Sequence, residues 1–253
     1  QLSSLPDLKS YPISSDNTQI TLDSTSKEIT YGDSITLKAS VTSDTPQTVT
    51  WKSSNTAVAT VKDGVVTATG KGTAKITASL PNGRSAVCTV KVTTKKLPTS
   101  GCSYASTAQY TGSAIIPTVT VKDGSKVLRQ NIDYRVIVTN NVKIGHANIT
   151  ISGMGNYYGS YSAGFDIIPA KQTIQKLETR YKGFFVDWAQ KGSATGYDIQ
   201  YSTSANMSGT ASKHLTANKP DNLTISGLTA DKTYYVRVRS YTNVGSKTYY
   251  GPW

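Results

Sequence analysis

The sequence contains few of the residues that build metal sites or disulfide frameworks, and no segment that could span a membrane. It has two cysteines, Cys88 and Cys102, and two histidines, His146 and His214. These numbers are too small for a disulfide-rich scaffold, and the cysteine spacing does not fit a zinc site, so we expect no metal and no cofactor. No run of about 18 apolar residues occurs, so we expect no membrane insertion. A signal peptide is also missing, and we interpret the chain as a mature or internal fragment.

Acidic side chains are scarce beside basic ones. The chain has 15 Asp and Glu against 27 Lys and Arg, which gives a formal net charge of +12, and lysine supplies 21 of the basic residues. Nucleic-acid-binding proteins gather Arg and Lys on one face with aromatic or Gly-rich companions. Here lysines such as Lys52, Lys62 and Lys75 occur singly, as edge lysines that block aggregation between strands do. We therefore expect a solvated surface and no nucleic-acid partner, with an anionic wall polymer or a glycan as the alternative.

Helix formers are sparse, and short alternating segments take their place. Apolar and polar residues alternate in segments 20–22, 35–41, 49–51 and 74–78. A period of two places one face of a strand on a core and the other in water. Turn signals that contain Gly, Asp and Asn separate these segments. Over 253 residues, this pattern predicts an all-β protein of two or three domains, each a sandwich or a barrel.

Residues 18–94 form the first predicted module, and residues 1–17 are interpreted as a linker or the end of a preceding module. Four sequence blocks follow one another at 49–55, 58–61, 64–68 and 72–78. Together they resemble the bacterial immunoglobulin-like domain of group 2, which implies an extracellular sandwich that occurs in adhesins and as a spacer in surface enzymes. We expect Trp51 to be the large inward ring, while Gly64 and Gly72 permit turns that a β-carbon would strain.

Residues 95–170 form the second predicted module. It carries Tyr-Thr-Gly at 110–112, Asp-Tyr at 133–134 and Gly-Met-Gly-Asn-Tyr-Tyr-Gly at 153–159. The order of these motifs resembles a repeat of bacterial surface proteins that is grouped with MBG-type adhesin modules. Alternating segments at 119–121, 134–138 and 165–167 predict strands. A β-sandwich is the first choice for this module, and a β-grasp arrangement is the alternative.

Residues 171–253 form the third predicted module. Its segments 185–188, 196–204 and 228–240 resemble those of fibronectin type III domains. The resemblance implies an Ig-like sandwich in which Trp188 fills the core from the second strand. Leu228 is followed six positions later by Tyr234, which fits a tyrosine corner, where the phenol hydroxyl satisfies a buried backbone group.

Catalytic motifs are missing from the sequence, so we predict that the chain is not an enzyme. There is no Gly-x-Ser-x-Gly elbow, phosphate loop or His-Glu-x-x-His motif. Most aspartates fall at turns, where Asp tolerates unusual backbone angles. Asp133 stands in a family motif, which favours a structural role over catalysis. We name no catalytic, cofactor-binding or metal-binding residue, and the ligand-binding residues stay unknown.

Tyrosine is the one enriched side chain, with 16 copies. One group comprises Tyr157, Tyr158 and Tyr161, and a second comprises Tyr234, Tyr235, Tyr241, Tyr249 and Tyr250. Tyrosine has high strand propensity and packs well at half-buried positions, which is the favoured explanation. The alternative is an exposed aromatic platform for a sugar ring or a protein partner.

The two cysteines leave two alternatives open. An extracellular chain permits a disulfide between Cys88 and Cys102, which would staple the first module to the second. Fourteen residues of extended chain can separate them by up to about 45 Å, whereas a bridge needs α-carbons within about 7 Å. Pro and Gly in residues 97–101 would allow the necessary reversal. Because free cysteine is often buried, we favour two free thiols, each in its own core.

These observations together predict an extracellular rod of three modules from a bacterial surface protein, secreted or attached to the cell surface. We expect a monomeric stalk or adhesion segment that spaces or binds a host or cell-wall protein or glycan. The alternative is an accessory region, either spacer or carbohydrate-binding, of a secreted or wall-attached hydrolase. Spacer modules serve both purposes, so the sequence alone does not separate them.

Overall fold

The computed structural model describes residues 17–253, and these residues form 25 strands and no helix. The predicted all-β class is confirmed. Nearly all of the predicted linker at residues 1–17 lies outside the described residues. The chain divides into two compact units, the first ending at Lys96 and adding residues 155–158, and the second made of residues 97–154 and 159–253.

The first module builds its core between two main sheets, ordered β2-β9-β8-β5 and β3-β7-β6, beside a separate pair β1-β4. Its strands are β1 (Gln19–Leu22), β2 (Ser26–Thr30), β3 (Ser34–Thr36), β4 (Ala39–Thr42), β5 (Thr50–Ser53), β6 (Ala59–Lys62), β7 (Val65–Ala68), β8 (Gly72–Ser79), β9 (Ser85–Thr93) and the short β10 (Lys95–Lys96). Leu37, Val66, Ile76 and Val90 are buried in one core cluster.

Trp51 faces inward as expected, but its ring is partly rather than fully buried. It packs against the main core and also against a smaller cluster that contains Ile20 and Leu80. Gly64 lies next to this ring with a φ of +80°. A β-carbon there would stand 2.6 Å from the carbonyl oxygen of Leu37 and 3.2 Å from the Trp51 ring. The glycine is therefore required both by its backbone angle and by the indole.

The middle module consists of two sheets, ordered β11-β13-β14 and β12-β18-β16-β15. Its strands are β11 (Cys102–Ser103), β12 (Thr107–Gln109), β13 (Thr120–Asp123), β14 (Lys126–Val127), β15 (Tyr134–Thr139), β16 (Gly145–Gly153), β17 (Tyr157–Tyr158) and β18 (Ser160–Ile168). Ile149, Ile151 and Phe165 are fully buried, and the Tyr134 hydroxyl donates to the Val119 carbonyl at 2.7 Å. Two sheets without a helix agree with the sandwich and not with a β-grasp arrangement, whose sheet curls around a helix.

Residues 155–158 of the Gly-Met-Gly-Asn-Tyr-Tyr-Gly motif belong to the first compact unit, although the sequence places them in the middle of the second module. Strand β17 pairs in parallel with β10. The Asn156 carbonyl accepts from the Lys95 amide at 2.9 Å, and its side-chain oxygen accepts from the Lys71 amide at 2.8 Å. Tyr157 is buried and meets the Tyr31 ring edge-to-face at 5.5 Å. The first unit is thus completed by a segment that comes about sixty residues after its last strand.

The C-terminal module is a seven-stranded sandwich with sheets ordered β19-β20-β23 and β22-β21-β24-β25. Its strands are β19 (Ile174–Arg180), β20 (Gly183–Trp188), β21 (Gly196–Ser202), β22 (Ala211–Leu215), β23 (Asn222–Ser226), β24 (Tyr235–Val244) and β25 (Lys247–Tyr250). Trp188 is fully buried beside Tyr197, with ring centroids 5.2 Å apart, as the sequence predicts. The Tyr234 hydroxyl accepts from the Thr229 amide at 3.3 Å, so a tyrosine corner is present, although this bond is exposed rather than buried.

Candidate interaction surfaces

The outer face of the C-terminal four-stranded sheet carries a row of planar side chains. Strand β24 alternates, with Val236 and Val238 packed on the core and Arg237 and Arg239 on the opposite face. Tyr241 continues the outward row, and Tyr250 lies opposite it on β25. The period of two in a strand brings these side chains into line.

The rings and guanidinium groups of this face lie in close contact with one another. The Arg239 guanidinium lies 4.1 Å from the centroid of the Tyr250 ring and 4.4 Å from that of the Trp253 ring, and the Arg237 guanidinium lies 4.6 Å from the centroid of the Trp253 ring. Tyr241 is 6.0 Å from Tyr250. We call this set the planar stack; it comprises Arg237, Arg239, Tyr241, Tyr250, Trp253 and His214, whose ring stacks on Tyr241 at 4.8 Å.

Two acceptors on β21 hold the cationic members of the planar stack in position. Asp198 accepts from Arg239 at 2.9 Å, and its other oxygen lies 2.6 Å from Nδ1 of His214. Gln200 accepts two hydrogen bonds from Arg237, at 2.9 and 2.6 Å. The strand register explains these contacts, because Asp198 on β21 lies opposite Arg239 on β24 and opposite His214 on β22. Guanidinium groups fixed in this way lose less side-chain entropy when they stack on aromatic rings.

The planar stack uses the ring faces that a sugar platform would need. Two guanidinium groups lie close to the Trp253 ring, and the Tyr250 ring has both the Arg239 guanidinium and the Tyr241 ring as neighbours. Tyr241 is buried, and its pKa is raised first by that burial and then by the charge of Asp198. These tyrosines therefore stabilise the module, which agrees with the favoured explanation of their abundance.

A second group of polar residues lies where the middle and C-terminal modules meet within the second unit. Asp166 on β18 is 2.8 Å from Nδ1 of His146 and accepts from the Lys247 ammonium at 2.8 Å. The hydrogen bond from Lys247 is the largest cause that lowers the pKa of Asp166, followed by that from His146. The same contact raises the pKa of Lys247. The three side chains join two modules that the sequence treats as separate.

A cleft of about 400 Å³ opens near this junction. We call it the junction cleft; it is lined by Tyr110, Lys143, Ile144, Gly192, Ser193 and Thr242. The first three residues come from the middle module, and the others come from β24 and the loop between β20 and β21. Nothing in the sequence marks these residues as a group, because the two sets are separated by about fifty residues or more and contain no shared motif.

The structure places the two cysteines in different compact units, and both are free thiols. Cys88 on β9 is fully buried in the core of the first module, and this burial raises the pKa of its thiol. Cys102 on β11 is only half-buried. Cys88 is therefore buried in its own core as expected, whereas Cys102 is more exposed than expected.

Some of the acidic residues that the structure describes lie in turns and loops, whereas others, such as Asp166 and Asp198, lie on strands. Asp63 and Asp231 have positive φ angles of 50° and 58°, the conformation that Asp tolerates at turns. Asp133 is buried and accepts from the Arg129 amide at 2.9 Å, which is a structural role. Within residues 17–253, no three His, Cys, Asp or Glu side chains stand close enough to hold a metal ion. Residues 17–253 contain no helix that is long and apolar enough to cross a membrane.

Two family models match the chain, at its two ends. Residues 172–252 match the fibronectin type III domain, and residues 16–90 match the bacterial Ig-like domain of group 2. Both matches support the resemblances found in the sequence and agree with the sandwiches of the first and third modules. These two matches do not cover the middle module, so its MBG-type resemblance stays a prediction.

Among curated proteins, a lacto-N-biosidase of Bifidobacterium bifidum is 57% identical over 51 residues, which is 20% of this chain and 5% of that protein. Similar solved structures include the FN1–FN3 domains of chicken CNTN1, with 11% identity, TM-score 0.30 and coverage of 94% of this chain and 96% of that one. The Yersinia pseudotuberculosis adhesin InvE has 13% identity and TM-score 0.31, over 68% of this chain and 67% of that one. Scores this low carry no argument about function.

Proposed function

We propose that this chain is a non-catalytic segment of a bacterial surface protein that acts outside the cell, where it spaces or binds a host or cell-wall partner. The observation that carries the proposal is the pair of family matches, a bacterial Ig-like domain at 16–90 and a fibronectin type III domain at 172–252. Such sandwiches are scaffolds whose functions lie in sites placed on their surfaces.

The side-chain chemistry of the C-terminal module supports a structural role for its outer sheet face. Arg239 and Arg237 are committed to Asp198 and Gln200 as well as to the rings. A contact that binds a partner would therefore use loops, the strand edges or the junction cleft. This division between a stabilised sheet face and accessible loops is typical of domains that present binding loops on a rigid frame.

The proposal is tested by coupling the purified 253-residue chain to fluorescent beads and measuring their attachment to host epithelial cells and to isolated bacterial walls. We expect attachment above that of beads that carry an unrelated β-sandwich of equal charge. Equal attachment of both bead types would refute a binding role and leave the spacer role. Hydrolase activity of the purified chain, lost on a single substitution, would contradict the non-catalytic assignment.

A second candidate is an accessory region of a secreted or wall-attached hydrolase. It is favoured by the 57% identity over 51 residues with a protein named lacto-N-biosidase. The full-length gene separates the two candidates, because a catalytic domain in the same polypeptide supports the accessory region. Further modules followed by a wall anchor would support the adhesion segment instead.

A further inference from the structure

The junction cleft presents hydrogen-bond donors and a positive charge, and no acidic residue lines it. The Lys143 ammonium is exposed and forms no ion pair with the described residues. The amide groups of Gly192 and Ser193 donate no hydrogen bond within residues 17–253, and the Ser193 hydroxyl is equally unpaired. A concave surface with unpaired donors and one cation is suited to a ligand that is rich in acceptors and negatively charged.

The donors of the Gly192 loop are held in place before any ligand arrives. The Ala194 amide donates to the Lys191 carbonyl at 3.0 Å, which closes a tight turn around Gly192 and Ser193. The Thr242 hydroxyl donates to the Ser193 carbonyl at 2.7 Å and ties this turn to β24. Binding to such a loop loses little conformational entropy, because the turn is already ordered.

Besides Lys143, the middle module contributes one apolar and one aromatic side chain to the lining of the junction cleft. Ile144 is buried, and Tyr110 is half-buried, with its backbone amide fixed to the Ile168 carbonyl at 2.8 Å. The volume of about 400 Å³ lies within the range of about 300–1,000 Å³ of small-molecule sites. A simple anion would leave these two side chains and most of the volume without a contact. A pyranose ring carries an apolar C–H face for Tyr110 and hydroxyls for the loop donors.

We propose that the junction cleft binds an acidic sugar, a pyranose that carries a carboxylate, at the end of or within a host or cell-wall glycan. Lys143 and the two loop amides receive the carboxylate, and Tyr110 packs against the ring. This inference rests on the proposed binding function and names the chemical class of its partner. It places the ligand at a junction of two modules, where binding sites are common.

The test uses the full chain and titrates it with D-glucuronic acid, followed by NMR chemical shifts or saturation transfer in low-salt buffer. A ligand of about 13 non-hydrogen atoms with ordinary ligand efficiency is expected to bind with a Kd of about 1 mM. Three probes each lack one feature of glucuronic acid. Glucose lacks the carboxylate, the methyl ester of glucuronic acid lacks the negative charge, and acetate lacks the sugar ring. We expect each of these three probes to bind at least about tenfold more weakly.

Two variants localise the site, and one serves as a matched control. Lys143→Gln removes the charge and should weaken glucuronic acid about tenfold or more, and Tyr110→Ala should weaken it to a similar degree. Lys213→Gln removes an exposed lysine of β22 in the same unit that does not line the cleft, and it should leave the Kd unchanged. Unaltered thermal unfolding of each variant shows that the fold is retained.

The alternative results overturn the inference in distinct ways. If glucuronic acid shows no saturable binding up to tens of millimolar, an acidic-sugar site is refuted. If acetate binds with the same Kd as glucuronic acid, the cleft is an anion site only. If glucose binds with the same Kd, the charge of the ligand plays no part in binding. Full affinity in Lys143→Gln places any site elsewhere. If the beads attach to cells while the chain does not bind glucuronic acid, only this inference fails. If the beads do not attach but glucuronic acid binds, the adhesion role fails and the cleft stands.

Discussion

Replacing Trp188 by alanine removes the largest fully buried side chain of the C-terminal module. The indole lies on β20 and contacts Tyr197, whose hydroxyl accepts from the Lys191 amide at 2.9 Å and donates to Asn218 at 2.9 Å. Removal of the indole therefore opens a cavity next to an ordered polar contact. Because β20 is hydrogen-bonded on both sides, to β19 and to β23, we expect the cavity to collapse only in part.

The magnitude follows from the buried area. A buried tryptophan withdraws about 150–250 Å² from water, which corresponds to about 4–6 kcal/mol at about 25 cal/mol per Å². Alanine retains part of this area, so the free energy of unfolding should fall by about 3–5 kcal/mol. For a unit of this size, about 2–4 °C per kcal/mol gives a drop in Tm of about 6–20 °C.

Differential scanning calorimetry of the full chain measures this change. The transition of the second unit should move, while that of the first unit should stay, because neither Trp188 nor its contacts belong to the first unit. Trp51→Ala should shift the transition of the first unit by less, since Trp51 is only partly buried. A Trp188 shift below about 3 °C would contradict the area argument, and a single shared transition would refute independent unfolding.

Three further outcomes are expected. Tyr157→Ala should destabilise the first unit by about 3–5 kcal/mol and so lower its Tm, because Tyr157 is buried there. Tyr158→Ala is the control and should change the Tm little, because Tyr158 is 52% exposed. Asp166→Asn should destabilise the second unit at pH 7, because the pKa of the Asp166 carboxyl in the folded chain lies below its ordinary value. The difference in stability from wild type should therefore shrink as the pH falls through that lowered pKa, and a pH-independent difference would refute the ion-pair explanation. Thiol titration of the denatured, unreduced chain should find two thiols per chain, and none in a monomer would show that Cys88 and Cys102 are bridged.

The alternating pattern of the sequence predicts most of the sandwich architecture, because a period of two fixes which face of a strand is buried. Trp188 and Trp51 both face inward, as expected from the modules they mark. Gly64 has the positive φ that its turn suggests. Local signals of this kind depend only on neighbouring residues and can be derived without the structure.

Long-range relations could not be derived in the same way. The pairing of β17 with β10 joins residues 95–96 to residues 157–158, and the local pattern of either segment carries no information about the other. The junction cleft also unites residues of two modules that the sequence predicts to be separate. Such contacts are set by the packing of whole sheets rather than by any short motif.

The number of tyrosines in the sequence does not show whether they bind a ligand or stabilise the fold, because that depends on which ring faces are free in the structure. An aromatic ring that holds a sugar must have a free face, and in the planar stack the faces of Trp253 and Tyr250 already contact Arg237, Arg239 and Tyr241. Each guanidinium group is in turn held by an acceptor on β21. Displacing one of them would cost a ring contact together with a charge-assisted hydrogen bond. Ligand binding on this sheet face would therefore have to compete with the stability of the module, whereas the unpaired donors of the junction cleft face no such competition.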